Sequence, residues 1–363
     1  MSASPKFGGA TKGRGAVSNQ DGRFERLTHE PVDDGWSADD GDLPPLRTQV
    51  LADTARKVIA RNTSPDIPFD RSLNPYRGCE HGCVYCFARP SHAYLGLSPG
   101  LDFETKLFAK HDAAELLRRE LAAKSYRCQT LQLGANTDPY QPIERRLRIT
   151  RGVLEVLADC DHPVSITTKS DLVLRDLDLQ VPMAAKGLAT VAVSVTTLDR
   201  ALARRLEPRA PTAAKRLRAV EGLARAGVPV TVLAAPMIPA LNDMELDAII
   251  AAGARAGATA AGYTLLRLPG EVADLFREWL ETHYPDRAER VLNRVRASRD
   301  GALYRAEWGT RQTGTGIEAE LLAARFKAAL KRVGLDRGRS GSRPLRTDLF
   351  RPPAPPSAQM TLF

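Results

Sequence analysis

The stretch NPYRGCEHGCVYCFARP, residues 74–90, holds three of the chain's five cysteines within eight positions. These are Cys79, Cys83 and Cys86, with the spacing C-x3-C-x2-C. A tetrahedral zinc site takes four protein ligands, and so does an ordinary iron–sulfur cluster. Three thiolates on a [4Fe–4S] cube leave one iron free, and an open coordination position is usually where a substrate or cofactor binds. We therefore expect that the missing ligand is not a protein group.

Other interpretations of the three cysteines remain open at this point. A zinc site is one, with His81 or His92 as the fourth ligand. The spacing is unusual for a zinc knuckle, however, and no second cysteine pair follows. A purely structural cluster is another, and buried inert thiols are a third. The Gly, Glu and His residues of this stretch favour metal binding over inert thiols.

The bulk composition is that of an ordinary soluble protein. No apolar run approaches the roughly 18 residues that suggest a membrane span. The N-terminus, MSASPKFGGATKGRG, has no apolar segment typical of a signal peptide. We therefore expect a cytoplasmic protein without a membrane partner, in a compartment where clustered thiols more often bind metal than form disulfides.

Short β-branched or apolar runs alternate with helical patterns along the middle of the chain. The predicted strands are residues 73–76, 130–133, 164–168, 190–195, 230–234 and 258–265. The predicted helices between them are residues 112–123, 150–158, 211–226 and 242–256. This alternation indicates an α/β fold of parallel βαβ units. Six units favour a partial (β/α)6 barrel, although periodicity alone does not separate it from an open doubly wound sheet.

The remaining composition divides the chain into four parts. Residues 1–50 predict a mostly disordered arm, because Gly, Ser, Asp and Arg mix there with little periodicity. The barrel is predicted over residues 65–268. Residues 269–335 carry three further helical patterns, at 271–284, 287–298 and 316–334, and form a basic C-terminal extension. Residues 336–363 predict a flexible Pro-rich tail.

With Tyr85 just before the last cysteine, the C-x3-C-x2-C motif resembles the signature of the radical S-adenosylmethionine (SAM) superfamily. The resemblance implies that Cys79, Cys83 and Cys86 ligate a [4Fe–4S] cluster and that SAM chelates the fourth iron. It also implies an electron donor, cleavage of SAM to a 5′-deoxyadenosyl radical, and a partial (β/α)6 barrel. The cofactor supplies the difficult chemistry in such enzymes, and the protein supplies position and exclusion of water.

Four longer stretches resemble the spore photoproduct lyase-like group of DNA-repair radical enzymes. They are SLNPYRGCEHGCVYCFARP, GANTDPYQPIER, ITTKSDLVLRD and VSVTTLDRALARRLEPRAPTAAKRLRAVEGLARAGVPVTVLAAPMIP. The likeness covers roughly residues 70–265. It implies that Tyr85 lies by the adenine of SAM, that Lys169 faces the SAM carboxylate, and that the hydroxyls of Ser194 and Thr137 contact SAM.

Three of these residues also have an ordinary structural interpretation. In this interpretation Ser194 is an inward-facing strand residue and Lys169 is a solvated charge on a loop. Thr137 then begins a turn in NTDP. Glu207 in RLEPR is a candidate for the ribose of SAM. The sequence favours the other interpretation of Glu207, a surface charge that pairs with a neighbouring arginine.

One position departs from the spore photoproduct lyase pattern. That family returns a hydrogen atom to its product radical from a cysteine, and the match to GANTDP places Ala135 at this position. Cys128 and Cys160 lie outside the motif and read as small buried hydrophobic residues. We therefore expect a substrate other than spore photoproduct itself, and the residue that donates hydrogen stays unassigned.

The C-terminal region suggests two macromolecular partners. Residues 285–351 contain 16 Lys and Arg against 8 Asp and Glu, a net charge of +8 (16 − 8), which suits a phosphate backbone. A solvated helical surface explains the same charge. The last five residues, QMTLF, resemble the peptide with which bacterial repair proteins dock on the DNA sliding clamp. In that interpretation Gln359 makes polar contacts, and Met360, Leu362 and Phe363 enter an apolar groove.

These observations together predict a radical SAM enzyme, lyase-like, that acts on nucleic acid. Two alternatives stay open. One is radical SAM modification of RNA, a peptide or a small molecule. The other is an iron–sulfur protein that binds nucleic acid without catalysis. Release of 5′-deoxyadenosine in the presence of SAM and a reductant distinguishes the last alternative from the other two.

Overall fold

The computed structural model describes residues 11–25, 46–336 and 344–353. The strands are β1 (Gln49–Ala52), β2 (Ala60–Arg61), β3 (Arg71–Leu73), β4 (Tyr76–Arg77), β5 (Lys106–Ala109), β6 (Leu131–Leu133), β7 (Val164–Thr168), β8 (Ala189–Ser194), β9 (Val230–Met237) and β10 (Ala260–Leu265). The helices are α1 (Asp102–Thr105), α2 (Ala113–Leu121), α3 (Glu144–Leu147), α4 (Ile149–Asp159), α5 (Leu177–Ala185), α6 (Arg200–Leu206), α7 (Ala213–Arg225), α8 (Leu246–Arg255), α9 (Val272–His283), α10 (Pro285–Ala297) and α11 (Gly316–Val333). No helix in these segments is long and apolar enough to cross a membrane.

The main sheet contains six parallel strands in chain order, β3-β6-β7-β8-β9-β10. Strand β2 adds to the β3 edge in the antiparallel direction. Helices connect successive parallel strands, so all six carboxyl ends lie at one edge of the sheet. This arrangement confirms the predicted partial (β/α)6 barrel. The edge formed by the carboxyl ends is where this class of fold places its active sites.

Buried β-branched residues form the centre of the barrel. Val191 and Val193 on β8 and Val230 and Val232 on β9 are fully buried, as the predicted strand pattern requires. Helix α8 packs closely on β9 at Gly253, where a Cβ atom would lie 2.5 Å from a methyl group of Val232. The absence of a side chain at Gly253 therefore sets the distance between this helix and the sheet.

The first predicted strand, residues 73–76, is wrong in its bounds. Strand β3 ends at Leu73, and Tyr76 begins β4, which belongs to a second sheet with the order β1-β5-β4. Pro75 lies between the two strands and has no N–H to donate to a ladder. The interruption lets the chain leave the barrel sheet just before the cysteines.

Residues 11–25, which we name the N-terminal strap, are an ordered part of the arm that the composition predicts to be mostly disordered. The backbone amides of Gly15 and Ala16 donate hydrogen bonds of 3.0 and 2.9 Å to the carboxylate of Glu104, which is fully buried. Arg14 and Ala16 are also buried. These contacts use backbone groups, and hydrophobic periodicity carries no signal for them.

In the C-terminal part, the helices of the structure match the predicted ones, whereas part of the tail differs from its prediction. Helices α9, α10 and α11 lie where the three helical patterns predict them. The expected flexible tail is wrong for residues 344–353, because the backbone amide of Arg351 donates to the carbonyl of Cys160 at 2.9 Å. The ring of Phe350 lies 5.3 Å from that of His162, centre to centre. The QMTLF segment lies outside the described residues.

Candidate functional site

The cysteine loop, residues 78–90, begins just after β4. The amide of Cys79 donates to the carbonyl of Phe103 at 3.0 Å, and the amide of Val84 donates to that of Leu206 at 3.1 Å. Gly78 and Gly82 have φ angles of 76° and 66°, in the left-handed region that favours glycine. These turns bury the side chains of Cys79 and Cys83 and leave that of Cys86 partly exposed.

A buried arginine braces the cysteine loop from behind. Arg89 forms an ion pair with Glu104, and neither side chain is exposed. The Arg89 guanidinium also donates to the carbonyl of Cys83 at 2.9 Å and to that of Gly100 at 2.8 Å. Because Glu104 also accepts from the N-terminal strap, this carboxylate joins the strap to the cysteine loop. Sequence reasoning gave neither residue a role: Arg89 stands in the quoted stretch 74–90 without a ligand chemistry of its own, and Glu104 lies outside the quoted stretches.

The three thiols lie in surroundings that oppose their ionisation. Burial raises the pKa of Cys83 to about 12, with Glu207 adding to the effect and Lys169 opposing it. Burial likewise raises the pKa of Cys79 and of Cys86. A bound cation reverses this balance, because a thiol that coordinates a metal ion loses its proton. These surroundings therefore favour thiolates that are bound to a metal centre over thiolates without a bound cation.

The two histidines considered as zinc ligands have other surroundings. His92 Nε2 lies 2.9 Å from the carbonyl oxygen of Lys106, and its ring packs edge-on against Phe103. His81 Nδ1 lies 3.3 Å from Asp138 Oδ2. In the part of the chain that the structure describes, no group of three or more His, Cys, Asp or Glu side chains is arranged to hold one metal ion. A [4Fe–4S] cube binds each thiolate through a different iron, so its ligands need not converge on one point.

Tyr85 connects the cysteine loop to a buried ion pair. Its hydroxyl hydrogen-bonds to Glu207 and lies 3.1 Å from the hydroxyl oxygen of Thr196. Glu207 is only 2% exposed and pairs with Arg216. The predicted pairing of Glu207 with a neighbouring arginine is therefore confirmed, but the predicted surface location is wrong. Burial raises the pKa of Glu207, but Arg216 and Lys169 outweigh it and lower the pKa to about 2, so the carboxylate is ionised.

Lys169 follows β7 and lies beside the same network. Its ammonium is 5.9 Å from the centre of the Tyr85 ring, and the residue is partly buried. Burial lowers the pKa of Lys169, but the nearby Cys83 and Glu207 outweigh it, and the net pKa is raised. The structure thus places a charged lysine next to the cysteine loop and not in open solvent.

Ser194 and Thr137 lie at the same edge of the barrel. Ser194 is the last residue of β8, and its hydroxyl donates to the carbonyl of Ala235 at 2.9 Å. Thr137 follows β6, and its hydroxyl donates to the carbonyl of Tyr76 at 2.7 Å. Both hydroxyl hydrogens are therefore in use within the protein. The oxygen lone pairs remain for accepting a hydrogen bond, and contact with SAM stays a prediction for both residues.

Asp138 is a further residue that sequence reasoning missed. Its carboxylate accepts from the Thr168 hydroxyl and from the Lys169 amide, both at 2.7 Å. Burial raises the pKa of Asp138, but His81 and these hydrogen bonds lower it to about 2. Asp138 therefore ties the ends of β6 and β7 to the cysteine loop. The only sequence signal was its place before a proline in NTDP.

The other cysteines lie away from this edge. Cys128 precedes β6, and Cys160 follows α4 before β7 begins, so both are at the amino ends of the strands. Ala135 follows β6 at the carboxyl edge. The position that the spore photoproduct lyase pattern gives to a cysteine thus lies at the edge with the cysteine loop, and here it carries a methyl group.

The family model described as the Radical SAM superfamily matches residues 73–252, from the end of β3 into α8. This chain belongs to the radical SAM superfamily. It is a radical SAM enzyme, and its family uses a [4Fe–4S] cluster together with SAM. An uncharacterized protein of Mycobacterium tuberculosis strain H37Rv is 38% identical over 274 residues, covering 70% of this chain and 81% of the relative. An uncharacterized protein of Methanocaldococcus jannaschii is 26% identical over 250 residues, covering 69% and 89% respectively.

Solved structures of spore photoproduct lyase have a similar fold. The enzyme complexed with dinucleoside spore photoproduct matches with a TM-score of 0.55 at 15% identity, covering 78% of both chains. A mutant with bound SAM and dinucleoside spore photoproduct matches with a TM-score of 0.54, also at 15% identity and covering 78% of both chains. At this identity the likeness concerns the fold.

Proposed function

We propose that this radical SAM enzyme acts on nucleic acid in a lyase-like reaction. The observation that carries the proposal is the arrangement at the carboxyl edge of the barrel. Cys79, Cys83 and Cys86 lie there on one braced loop, and Lys169 stands 5.9 Å from the ring of Tyr85. In this proposal the three thiolates hold the cluster.

The chemistry that the cluster and SAM supply when bound is one-electron cleavage of SAM to a 5′-deoxyadenosyl radical. The residues of the chain have positioning roles in this proposal. Lys169 presents a point charge suited to the SAM carboxylate. Glu207 holds the Tyr85 hydroxyl, which fixes the ring for the adenine, and Ser194 and Thr137 offer hydroxyl oxygens to SAM.

Two observations support nucleic acid as the substrate class. The first is the fold shared with a lyase that was solved in complex with a dinucleoside lesion. The second is the surface of α10 and α11. Arg287, Arg290, Lys327 and Lys331 are exposed there, and no ion pair holds any of them within the described residues. Such side chains are available to phosphate groups.

The positive charge available on this surface is smaller than the charge count of residues 285–351 suggests. Asp247 pairs with both Arg325 and Arg332, and Asp66 pairs with Arg311. These two carboxylates lie outside residues 285–351 in the sequence, so the local net charge of +8 overstates the free charge. The exposed arginines of α10 are the better candidates for contact with phosphate.

The reaction that we propose differs from the splitting of spore photoproduct. Ala135 cannot donate a hydrogen atom as a thiol does, and Cys128 and Cys160 lie at the opposite edge of the barrel. A product radical must then be quenched in another way, or the substrate must be a different lesion or modification site. The proposal therefore stops at the substrate class.

The test is hydrogen transfer from labelled nucleic acid. Anaerobically reconstituted protein is incubated with SAM, dithionite and perdeuterated DNA, either untreated or irradiated with ultraviolet light, and 5′-deoxyadenosine is analysed by mass spectrometry. We expect deuterium in 5′-deoxyadenosine from at least one DNA sample. Deuterium from labelled RNA or peptide alone would favour the alternative radical SAM reactions. A sample with an intact cluster that neither binds SAM nor forms 5′-deoxyadenosine would indicate a binding protein without catalysis.

A further inference from the structure

A second arrangement at the mouth of the barrel involves Arg267, two residues after the end of β10. The centre of its guanidinium lies 4.8 Å from the centre of the Phe87 ring. Phe87 directly follows Cys86 and is 39% exposed, so part of its ring is open to solvent. The Arg267–Phe87 contact therefore stands between the last strand of the barrel and the cysteine loop, open to solvent on one side.

A second guanidinium lies behind Arg267. Arg299 is only 1% exposed and donates to the carbonyl of Leu266 at 3.2 Å and to that of Arg311 at 3.2 Å. Burial lowers the pKa of Arg299 to about 10, and the positive charge of Arg267 adds to this effect. Two like charges thus stand close together at the mouth.

In the described part of the chain, no carboxylate pairs with either of these arginines. Within residues 11–25, 46–336 and 344–353, neither Arg267 nor Arg299 takes part in an ion pair. The Nε atom of Arg267 is buried and has no hydrogen-bond partner among the described residues. A buried donor without a partner costs free energy, and a negatively charged ligand removes that cost.

We infer that Arg267, held over Phe87 and backed by Arg299, binds a phosphate group of the substrate at the mouth of the barrel. This inference rests on the proposed function and adds a recognition residue to it. A guanidinium matches the oxygens of a phosphate with two parallel hydrogen bonds, and the exposed edge of Phe87 offers an apolar surface to a base. The site lies beside Cys86, so a bound nucleotide would be next to the radical centre.

The experiment compares Arg267→Gln with a matched control, Arg225→Gln, in the full chain. Arg225 is an exposed arginine of α7 whose side chain is 79% exposed and pairs with Glu221. A fluorescein-labelled oligothymidylate is titrated with each protein at several salt concentrations. We expect Arg267→Gln to weaken binding about tenfold and to reduce the salt slope by about 0.7, because one phosphate contact is lost. Arg225→Gln should stay within about twofold of the wild type, as for an exposed charge.

Further measurements give each outcome a meaning. Thermal unfolding checks that Arg267→Gln is folded, and equilibrium dialysis checks that its affinity for SAM is unchanged. If SAM binding falls instead, the anion held by Arg267 belongs to SAM and the inference is overturned. If the wild type binds the oligonucleotide and Arg267→Gln binds equally well, the inference fails while the nucleic-acid function stands.

A wild type that does not bind the oligonucleotide contradicts the nucleic-acid substrate. Thymidine monophosphate is then titrated calorimetrically into both proteins. Binding that Arg267→Gln abolishes would uphold the phosphate site without the nucleic-acid substrate. No binding by either protein would overturn both.

Discussion

Lys169 and Tyr85 meet with the lysine ammonium 5.9 Å from the centre of the tyrosine ring, although they come from different parts of the barrel. Tyr85 lies in the cysteine loop and Lys169 at the end of β7. Burial lowers the pKa of Lys169, but Cys83 and Glu207 together outweigh burial, so the net pKa is raised. The site thus keeps one positive charge beside the position where a SAM carboxylate is expected.

Replacing Lys169 by alanine should weaken SAM binding about 10- to 100-fold, because a charge-assisted hydrogen bond contributes about 1.5–3 kcal/mol. The cluster should survive, since Lys169 is not a ligand. Equilibrium dialysis with labelled SAM measures the change. Lys215→Ala, at an exposed position on α7, is the matched control. Equal SAM affinity in both variants would return Lys169 to the role of a structural charge.

Replacing any one of Cys79, Cys83 or Cys86 by alanine should abolish the brown cluster chromophore or make it labile, because two thiolates cannot hold the cube with an open iron. The loss is measured as a decrease in the absorbance of the thiolate-to-iron charge-transfer bands and in the iron content of the protein. Cys128→Ala and Cys160→Ala should keep the chromophore, since both lie at the amino ends of the strands. Loss of the cluster in Cys128→Ala, with retention in Cys79→Ala, would overturn the assignment.

The sequence pattern was sufficient to predict most of the alternating strands and helices and the cysteine loop, and the family resemblance favoured the barrel over an open sheet. Strand β7 and the three C-terminal helices lie where their patterns predict, because burial on a sheet or helix face imposes a period on the sequence. The cysteine spacing was equally informative, because three cysteines so close in sequence lie on one loop. Such local patterns depend on neighbouring residues alone.

The contacts that complete the site could not be predicted in the same way. Glu207 contacts Arg216 and Thr196, which are both nearby in sequence, but its contact with the Tyr85 hydroxyl joins residues 122 positions apart. Glu104 and the N-terminal strap meet through backbone amides, which every residue type offers. Neither contact leaves a periodic or compositional signal, so only the folded structure reveals it.

The N-terminal strap should detach when a side chain is added at Gly15. A Cβ atom there would lie 1.7 Å from the carbonyl oxygen of Gly82, so Gly15→Ala must displace the strap from the cysteine loop. We expect amide exchange of Gly15 and Ala16, measured by hydrogen–deuterium exchange, to rise at least about tenfold. Gly152→Ala is the control, because its new Cβ would lie 3.5 Å from the nearest atom, on Ala114. Unchanged exchange at the strap in Gly15→Ala would show that the contact is not a tight one.

The exposed arginines of α10 should contribute to nucleic-acid affinity through salt-dependent contacts. The double variant Arg287→Gln, Arg290→Gln removes two charges that no described ion pair holds. We expect its salt slope with single-stranded DNA to fall by about 1.4, at about 0.7 for each phosphate contact. Arg225→Gln serves as the control on α7. An unchanged salt slope in gel-shift titrations would mean that these arginines are hydrated surface charges that do not contact nucleic acid.

The last prediction concerns His162, which is fully buried at the amino end of β7. Its Nδ1 lies 3.0 Å from the carbonyl of Pro163 and its Nε2 lies 2.7 Å from the Tyr126 hydroxyl, an arrangement that suits the neutral ring with Nδ1 protonated. Burial lowers the pKa of His162 to about 4, against an ordinary pKa of 6.5. The unfolded chain therefore takes up the proton first as the pH falls.

The contribution of His162 to stability should be complete above about pH 6.5 and should be lost as the pH falls from 6.5 to 4, by about 3 kcal/mol in total. Denaturant unfolding of His162→Gln across this range should show a correspondingly smaller loss than the wild type, since glutamine does not titrate. His111→Gln, at an exposed histidine, should keep the wild-type pH dependence. If His162→Gln and the wild type lose stability in parallel between pH 6.5 and 4, the buried ring is protonated in the folded state and its contact with Tyr126 does not require the neutral form.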